Sequence, residues 1–217
     1  MRVEPLHLAD VVVEGATWPV IGWAIHVAQD MAMAQSVDMA RPMAMADAFA
    51  PSATILVDTG MIDSMPQLDA EWHPTLRPWP AVGHVAAVIN THLHFDHCGG
   101  NRRFAGTPTF VQRAEYEAAR APDYLEEWVR FPGASYELLE GDAELFPGVR
   151  VLSTPGHSPG HQAVVVDADD GLTVLGGDVT YSMRELIDGA TPSIRRIHAL
   201  RPRRVYLAHH HRPWEPG

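Results

Sequence analysis

Short apolar stretches, each closed by turn-forming residues, recur along the chain. Residues 11–13, 20–26, 54–57, 85–89, 109–111, 149–152, 162–166, 172–175 and 205–208 have the length and β-branched content of strands. Helical spacing falls between some of them, over 113–121 and 124–131. A later helix is announced by Thr191 as cap and Pro192 in the first turn, with Ile194, Ile197 and Leu200 on one face. Strand runs broken by helices in two successive halves predict an α/β fold of four layers, two sheets packed together with helices outside. A single domain over residues 1–217 accommodates this order, and no fixed-period repeat is present.

One segment departs from the alternation. Residues 31–50 are rich in alanine and methionine, with Met-Ala-Met-Ala at 31–34 and again at 43–46, and they separate two strands that could form a simple hairpin. The segment reads as an insertion. Arg41-Pro42 interrupts any continuous helix there. Its methionines suit a surface that accepts varied apolar shapes, so it is expected to cover the functional site or to meet a second subunit in a homodimer.

Composition narrows the chemistry. With 16 basic against 27 acidic residues the net charge is −11, which argues against a nucleic-acid partner or an anionic membrane. All 16 basic residues are arginine, so a lysine Schiff base, a lysine general base and a phosphate-loop lysine are excluded. Met1 to Asp10 lacks a secretory pattern and no stretch is long and apolar enough to span a bilayer. Cys98 is the only cysteine, which fits a reducing compartment, and the cytoplasm is the expected location.

The densest chemical signal is Thr91-His-Leu-His-Phe-Asp-His97, directly after the apolar strand 85–89. On extended backbone His92 and His94 project the same way and can share an ion. Asp96 and His97 follow as the chain turns and can address a second ion close by. Imidazole and carboxylate donors suit zinc, iron, manganese or cobalt, and catalytic sites of this kind keep a position open for water. Thr91 reads as a local hydrogen-bonding residue and not a ligand.

Two decoys lie nearby. Gly156-His-Ser-Pro-Gly160 matches the G-x-S-x-G elbow of serine hydrolases, but the residue after the serine is Pro159, which lacks the N–H that an oxyanion hole needs. Cys98 adjoins a candidate ligand, and its position suits a small packed side chain better than a nucleophile.

The sequence resembles the metallo-β-lactamase superfamily in the order of Val57-Asp-Thr-Gly60, the H-x-H-x-D-H run, Thr154-Pro-Gly-His157, Gly177-Asp178 and Ala208-His209. It is most similar to the N-acyl homoserine lactonases within it, through Thr91 to Asn101, Phe110 to Ala118, Glu140-Gly-Asp142, Thr154 to Gln162 and Asp178-Val-Thr-Tyr181. The resemblance covers most of the chain, from about Val20 to His210. It implies an αββα sandwich and two divalent metal ions, zinc first, with His92, His94 and His157 on one. Asp96, His97 and His209 would hold the other, and Asp178 would bridge.

His209 is chosen from the run 209–211 because it directly follows the last strand, as the family's final ligand does; His210 then stands where that family often has an aspartate. His161 and Asp58 are expected to support ligands and not to coordinate. The activity implied is opening of a lactone ring by a hydroxide shared between the metals. Tyr181 would donate to the developing oxyanion, and Asp96 would return a proton to the ring oxygen. A thioester such as an acylglutathione, or another cyclic ester, is the alternative substrate.

Overall fold

The chain opens with a long hairpin, β1 (Arg2–Val13) against β2 (Ala16–His26), paired from Arg2↔His26 to Val13↔Ala16. Its two-residue turn, Glu14-Gly15, takes positive φ at both positions (50° and 79°), the backbone whose twist matches that of the strands it joins. The computed structural model describes residues 1–27 and 53–216, so the proposed insertion at 31–50 lies outside the described residues.

Beyond it come β3 (Thr54–Val57), α1 (Pro66–Glu71), β4 (Thr75–Leu76), β5 (Val85–Ile89), α2 (Phe95–Cys98), β6 (Pro108–Gln112), α3 (Arg113–Ala118), α4 (Glu126–Val129) and β7 (Ser135–Leu139). The seven strands form one sheet in the order β4-β1-β2-β3-β5-β6-β7, with β3, β5, β6 and β7 parallel. A second sheet, in the order β12-β11-β10-β9-β8, is built from β8 (Ala143–Phe146), β9 (Val149–Ser153), β10 (Gln162–Ala168), β11 (Gly171–Leu175) and β12 (Arg204–Tyr206). The helices α5 (Met183–Asp188) and α6 (Pro192–Ala199) connect β11 to β12.

Strand alternation explains the layering. Ile21, Trp23, Ile25, Ile55, Val57 and Ile89 of the first sheet share one apolar cluster with Val149, Val151, Val164 and Val166 of the second. The intervening residues face outward. Ala163, Val165 and Val174 pack on Leu186, Ile194 and Ile197 of α5 and α6, while Val111 of the first sheet packs with Ala119, Tyr124 and Val129 around α3 and α4. The result is the expected αββα sandwich. α6 is capped as its sequence requires, Thr191 Oγ1 accepting from Ile194 N at 3.1 Å.

Several boundaries differ from the sequence pattern, each for a physical reason. Helix α3 ends at Ala118 and not 121, because Ala121 precedes Pro122 and cannot comfortably stay helical. β1 begins nine residues earlier than its apolar run, its first half being polar on one face. β7 and β8, both at sheet edges, give a weak signal because β7 has no fully buried residue and β8 buries only Leu145 and Phe146.

Candidate metal centre

Four chain segments deliver side chains to one point at the ends of the strands. Buried β5 runs to Ile89 and the chain then turns, presenting His92 and His94 before α2 places Asp96 and His97 in its first turn. The β9–β10 loop supplies His157, the turn after β11 supplies Asp178, and His209 follows β12. Parallel strand ends are where α/β folds gather ligands. At Gly177, φ is +52° and a Cβ would meet Thr91 at 2.7 Å, so only glycine lets the Asp178 turn approach the β5 end this closely.

His92 Nε2, His94 Nδ1 and His157 Nε2 lie 2.9 to 3.0 Å from one another. Three ligand nitrogens of a tetrahedral zinc site stand about 3.3 Å apart, given bonds near 2.0–2.1 Å. Around a second point, His209 Nε2 and His97 Nε2 lie 3.5 and 3.7 Å from Asp96 Oδ2. Asp178 Oδ2 stands between the two groups, 3.3 and 3.4 Å from His209 and His97 and 3.7 and 4.0 Å from His157 and His92. All seven sequence-chosen residues are thus brought together, in three overlapping triads with metal-ligand spacing. His97 Nε2 and Asp178 Oδ1 are buried with no hydrogen-bond partner, the condition of atoms reserved for an ion.

The outer ring nitrogens point the same way chemically. His97 Nδ1 donates to Asp58 Oδ2 at 2.8 Å, His209 Nδ1 to the Pro19 carbonyl at 2.8 Å, and His157 Nδ1 to Tyr181 Oη at 3.1 Å. Thr91 Oγ1 gives its proton to Asp58 and accepts from His92 Nδ1 at 3.2 Å. These tautomers are assigned from the network, and each leaves an unprotonated Nε2 directed inward. Asp58 holds its place with φ at +55°, an unusual conformation for a side chain of its size, stabilised by Thr91 N, Thr91 Oγ1 and His97.

Charge agrees with this geometry. Burial opposes a proton on His97 and His209, yet Asp178 and Asp96 raise both imidazoles above their ordinary value. Burial would raise the Asp178 carboxyl, but His209 and His97 hold it well below the usual range. Carboxylates outweigh cations here, so the cluster demands added positive charge.

His161 stays out of the cluster in the supporting place expected of it. Asp178 N donates to its Nε2 at 3.1 Å while its Nδ1 meets the Thr154 carbonyl at 3.1 Å, and burial pushes the imidazole down to about 3, keeping it neutral. His210 points away, Nε2 on the Tyr181 carbonyl at 2.9 Å, and His211 meets His7 edge to face. Ser158 gives its hydroxyl proton to Glu115 at 2.6 Å, and burial pushes the Cys98 thiol up, so neither is an activated nucleophile.

A cleft of about 440 Å³ opens over the cluster. Val11, Val13, Trp18, Trp72 and Phe95 make an apolar wall, with Glu14 and Asp123 at the rim and Tyr181, Asp96, Asp178, His94, His157 and His209 on the floor. The wall and the buried Glu115 escaped sequence reasoning. Nothing in the spacing of Val11, Trp18 and Trp72 tells that a hairpin and a helix converge on one cleft, and Glu115 reads as an ordinary helix acid.

A family model described as the metallo-beta-lactamase superfamily matches residues 49–216. The chain belongs to the metallo-β-lactamase superfamily. Membership implies divalent metal, and the triads above fit that requirement. Among curated proteins it is similar to an N-acyl homoserine lactonase of Bacillus cereus, 48% identical over 103 residues, 46% of this chain and 41% of that protein. It also matches the N-acyl homoserine lactonase AttM of Rhizobium radiobacter, 29% identical over 144 residues, 58% of this chain and 55% of that protein. These matches span roughly half the length of the relatives or less. A solved quorum-quenching N-acyl homoserine lactone lactonase superposes with a TM-score of 0.74 at 26% identity, covering 95% of this chain and 91% of that one. The fold is shared as well with a mutant of B. thuringiensis AiiA that has N-decanoyl-L-homoserine bound, at a TM-score of 0.74 and 24% identity over 95% and 92% of the two chains.

Proposed function

We propose that the chain is a dinuclear metal hydrolase that opens the lactone ring of N-acyl homoserine lactones. His92, His94 and His157 would hold one ion and Asp96, His97 and His209 the other, with Asp178 available to both; zinc suits this donor set, with iron, manganese or cobalt as substitutes. The observation that carries the reading is the cleft, whose floor gathers these ligands and whose described wall is apolar and acidic with no cationic side chain. An uncharged lactone with an acyl chain fits such walls. An acylglutathione brings two carboxylates past Glu14 and Asp123 with no described cation to receive them, so like-charge repulsion disfavours that alternative. The names of the relatives point the same way. With one buried cysteine, Cys98, a reducing cytoplasm is the natural setting.

Divalent ions bound here would supply a water of lowered pKa and polarise the ester carbonyl. The protein's own groups do the rest. Because His157 Nδ1–H donates to Tyr181 Oη, the phenol proton is left free to face the cleft, 45% of Tyr181 being accessible. Burial and the charges of Asp178 and Asp96 raise the Tyr181 hydroxyl above its ordinary value, so it stays protonated and donates to the oxygen on which charge develops. Trp18 backs the phenol, ring centroids 5.3 Å apart. Asp96, on the cleft floor, takes the proton released by the attacking water and returns it to the departing ring oxygen. The products are the carboxylate and alcohol of an acyl homoserine.

Two results follow. Elemental analysis of reconstituted protein will find close to two ions per chain, since seven ligands exceed what one tetrahedral ion uses; one ion or none would remove the dinuclear reading. In a hydrolysis screen, acyl homoserine lactones will be turned over faster than acylglutathione thioesters or phosphodiesters. A preference for the thioester would transfer the assignment to the alternative.

A further inference from the structure

Glu115, on α3, is a completely buried carboxylate, and the proposed reaction does not use it. Its Oε1 accepts from Leu93 N at 3.0 Å and Tyr124 Oη at 2.9 Å; its Oε2 accepts from Ser158 Oγ at 2.6 Å and Gly160 N at 2.9 Å. Four donors fill the acceptor sites of one carboxylate. Leu93 lies between His92 and His94, Ser158 is next to His157, and Tyr124 stacks on the His94 ring with centroids 4.8 Å apart. A Cβ at Gly160 would run into the backbone of Glu115, so the His157 loop rests directly on the helix that carries this acid.

We infer that Glu115 is the positioning residue of one metal position only: it clamps the loop of His92 and His94 to the loop of His157 and sets the separation of those three imidazoles. The second triad takes no support from Glu115: Asp58 stands behind His97 directly, and behind His92 through Thr91 Oγ1, and the Pro19 carbonyl stands behind His209. The inference rests on the ligand assignment proposed above.

Glu115→Gln keeps the shape and exchanges one acceptor for a donor. The hydroxyls of Tyr124 and Ser158 can turn round to accept, but the N–H groups of Leu93 and Gly160 cannot. Whichever way the amide is placed, one of the two loops loses its anchor.

The test is a zinc titration of the metal-free full chain against a chromophoric chelator, with circular dichroism and melting of the same samples. We expect Glu115→Gln to fold as the parent does, to bind one ion with parental affinity, and to bind the other about 10- to 100-fold more weakly, the range seen when a group supporting ligands is lost. The weakened step should be the one that His94→Ala removes. Parental affinity at both steps, or equal weakening of both with a lowered melting temperature, overturns the clamp. If the Gln variant does not fold, Ser158→Ala removes a single donor, and parental affinity in that variant overturns it equally. If His94→Ala removes no ion from the parent, the ligand assignment itself has failed and not the role of Glu115.

Discussion

Replacing His92 by alanine, or Asp178 by asparagine, is expected to reduce turnover to the uncatalysed rate. His92 is fully buried, and its Nε2 is one of three nitrogens within 3.0 Å of each other, so no neighbouring group or solvent molecule can take its position. Asp178 Oδ2 lies within 4.0 Å of four ring nitrogens, and an amide there removes the negative charge that stands between the two triads. Metal content measured beside kcat decides the matter: the variants should lose an ion together with the activity. His161→Ala and His211→Ala should act far more mildly, the first removing a neutral support of the Asp178 turn and the second a ring that meets His7 edge to face. His209→Ala should lose metal where His210→Ala keeps it, since His210 Nε2 is engaged by the Tyr181 carbonyl. The opposite result would move the last ligand to 210.

Tyr181→Phe is expected to slow lactone opening by about tenfold to a thousandfold with both ions retained, the cost of removing a single oxyanion donor. The phenol meets His157 at Nδ1 and also lies beside the Asp178 carboxylate and the His209 ring, but the hydroxyl supplies no candidate ligand atom itself, so metal content should hold. If the donor acts in the transition state, kcat falls and KM changes little. Kinetics equal to the parent across a series of lactones would reduce Tyr181 to packing against Trp18.

Much of this was legible along the chain. The strands at 54–57 and 85–89 appear with the bounds their apolar runs predict, because buried parallel strands read as unbroken β-branched stretches. The cluster near His92 was legible because a strand followed by a tight turn fixes the directions of His92, His94, Asp96 and His97 from local geometry alone. The edge strands β4 and β7 were not, since an edge position asks for little apolar content.

Sequence by itself determined the class of fold, the candidate donor residues and the exclusion of lysine chemistry, all of which depend on residue identity and short spacing. Only the tertiary structure decided which of His209, His210 and His211 faces the cluster, because adjacent residues differ in direction by the turn that follows β12 and not by type. It also brought Asp58 behind His97 and Thr91, and Glu115 between the loops of His94 and His157. Both are buried carboxylates distant in sequence from most of what they hold, 33 and 39 residues for Asp58 and as many as 45 for Glu115, and contacts of that range exist only once the two sheets have packed. The hairpin β1–β2 contributes the cleft wall and the carbonyl behind His209, 190 residues away along the chain. Such separations carry no local pattern, so packing alone creates them.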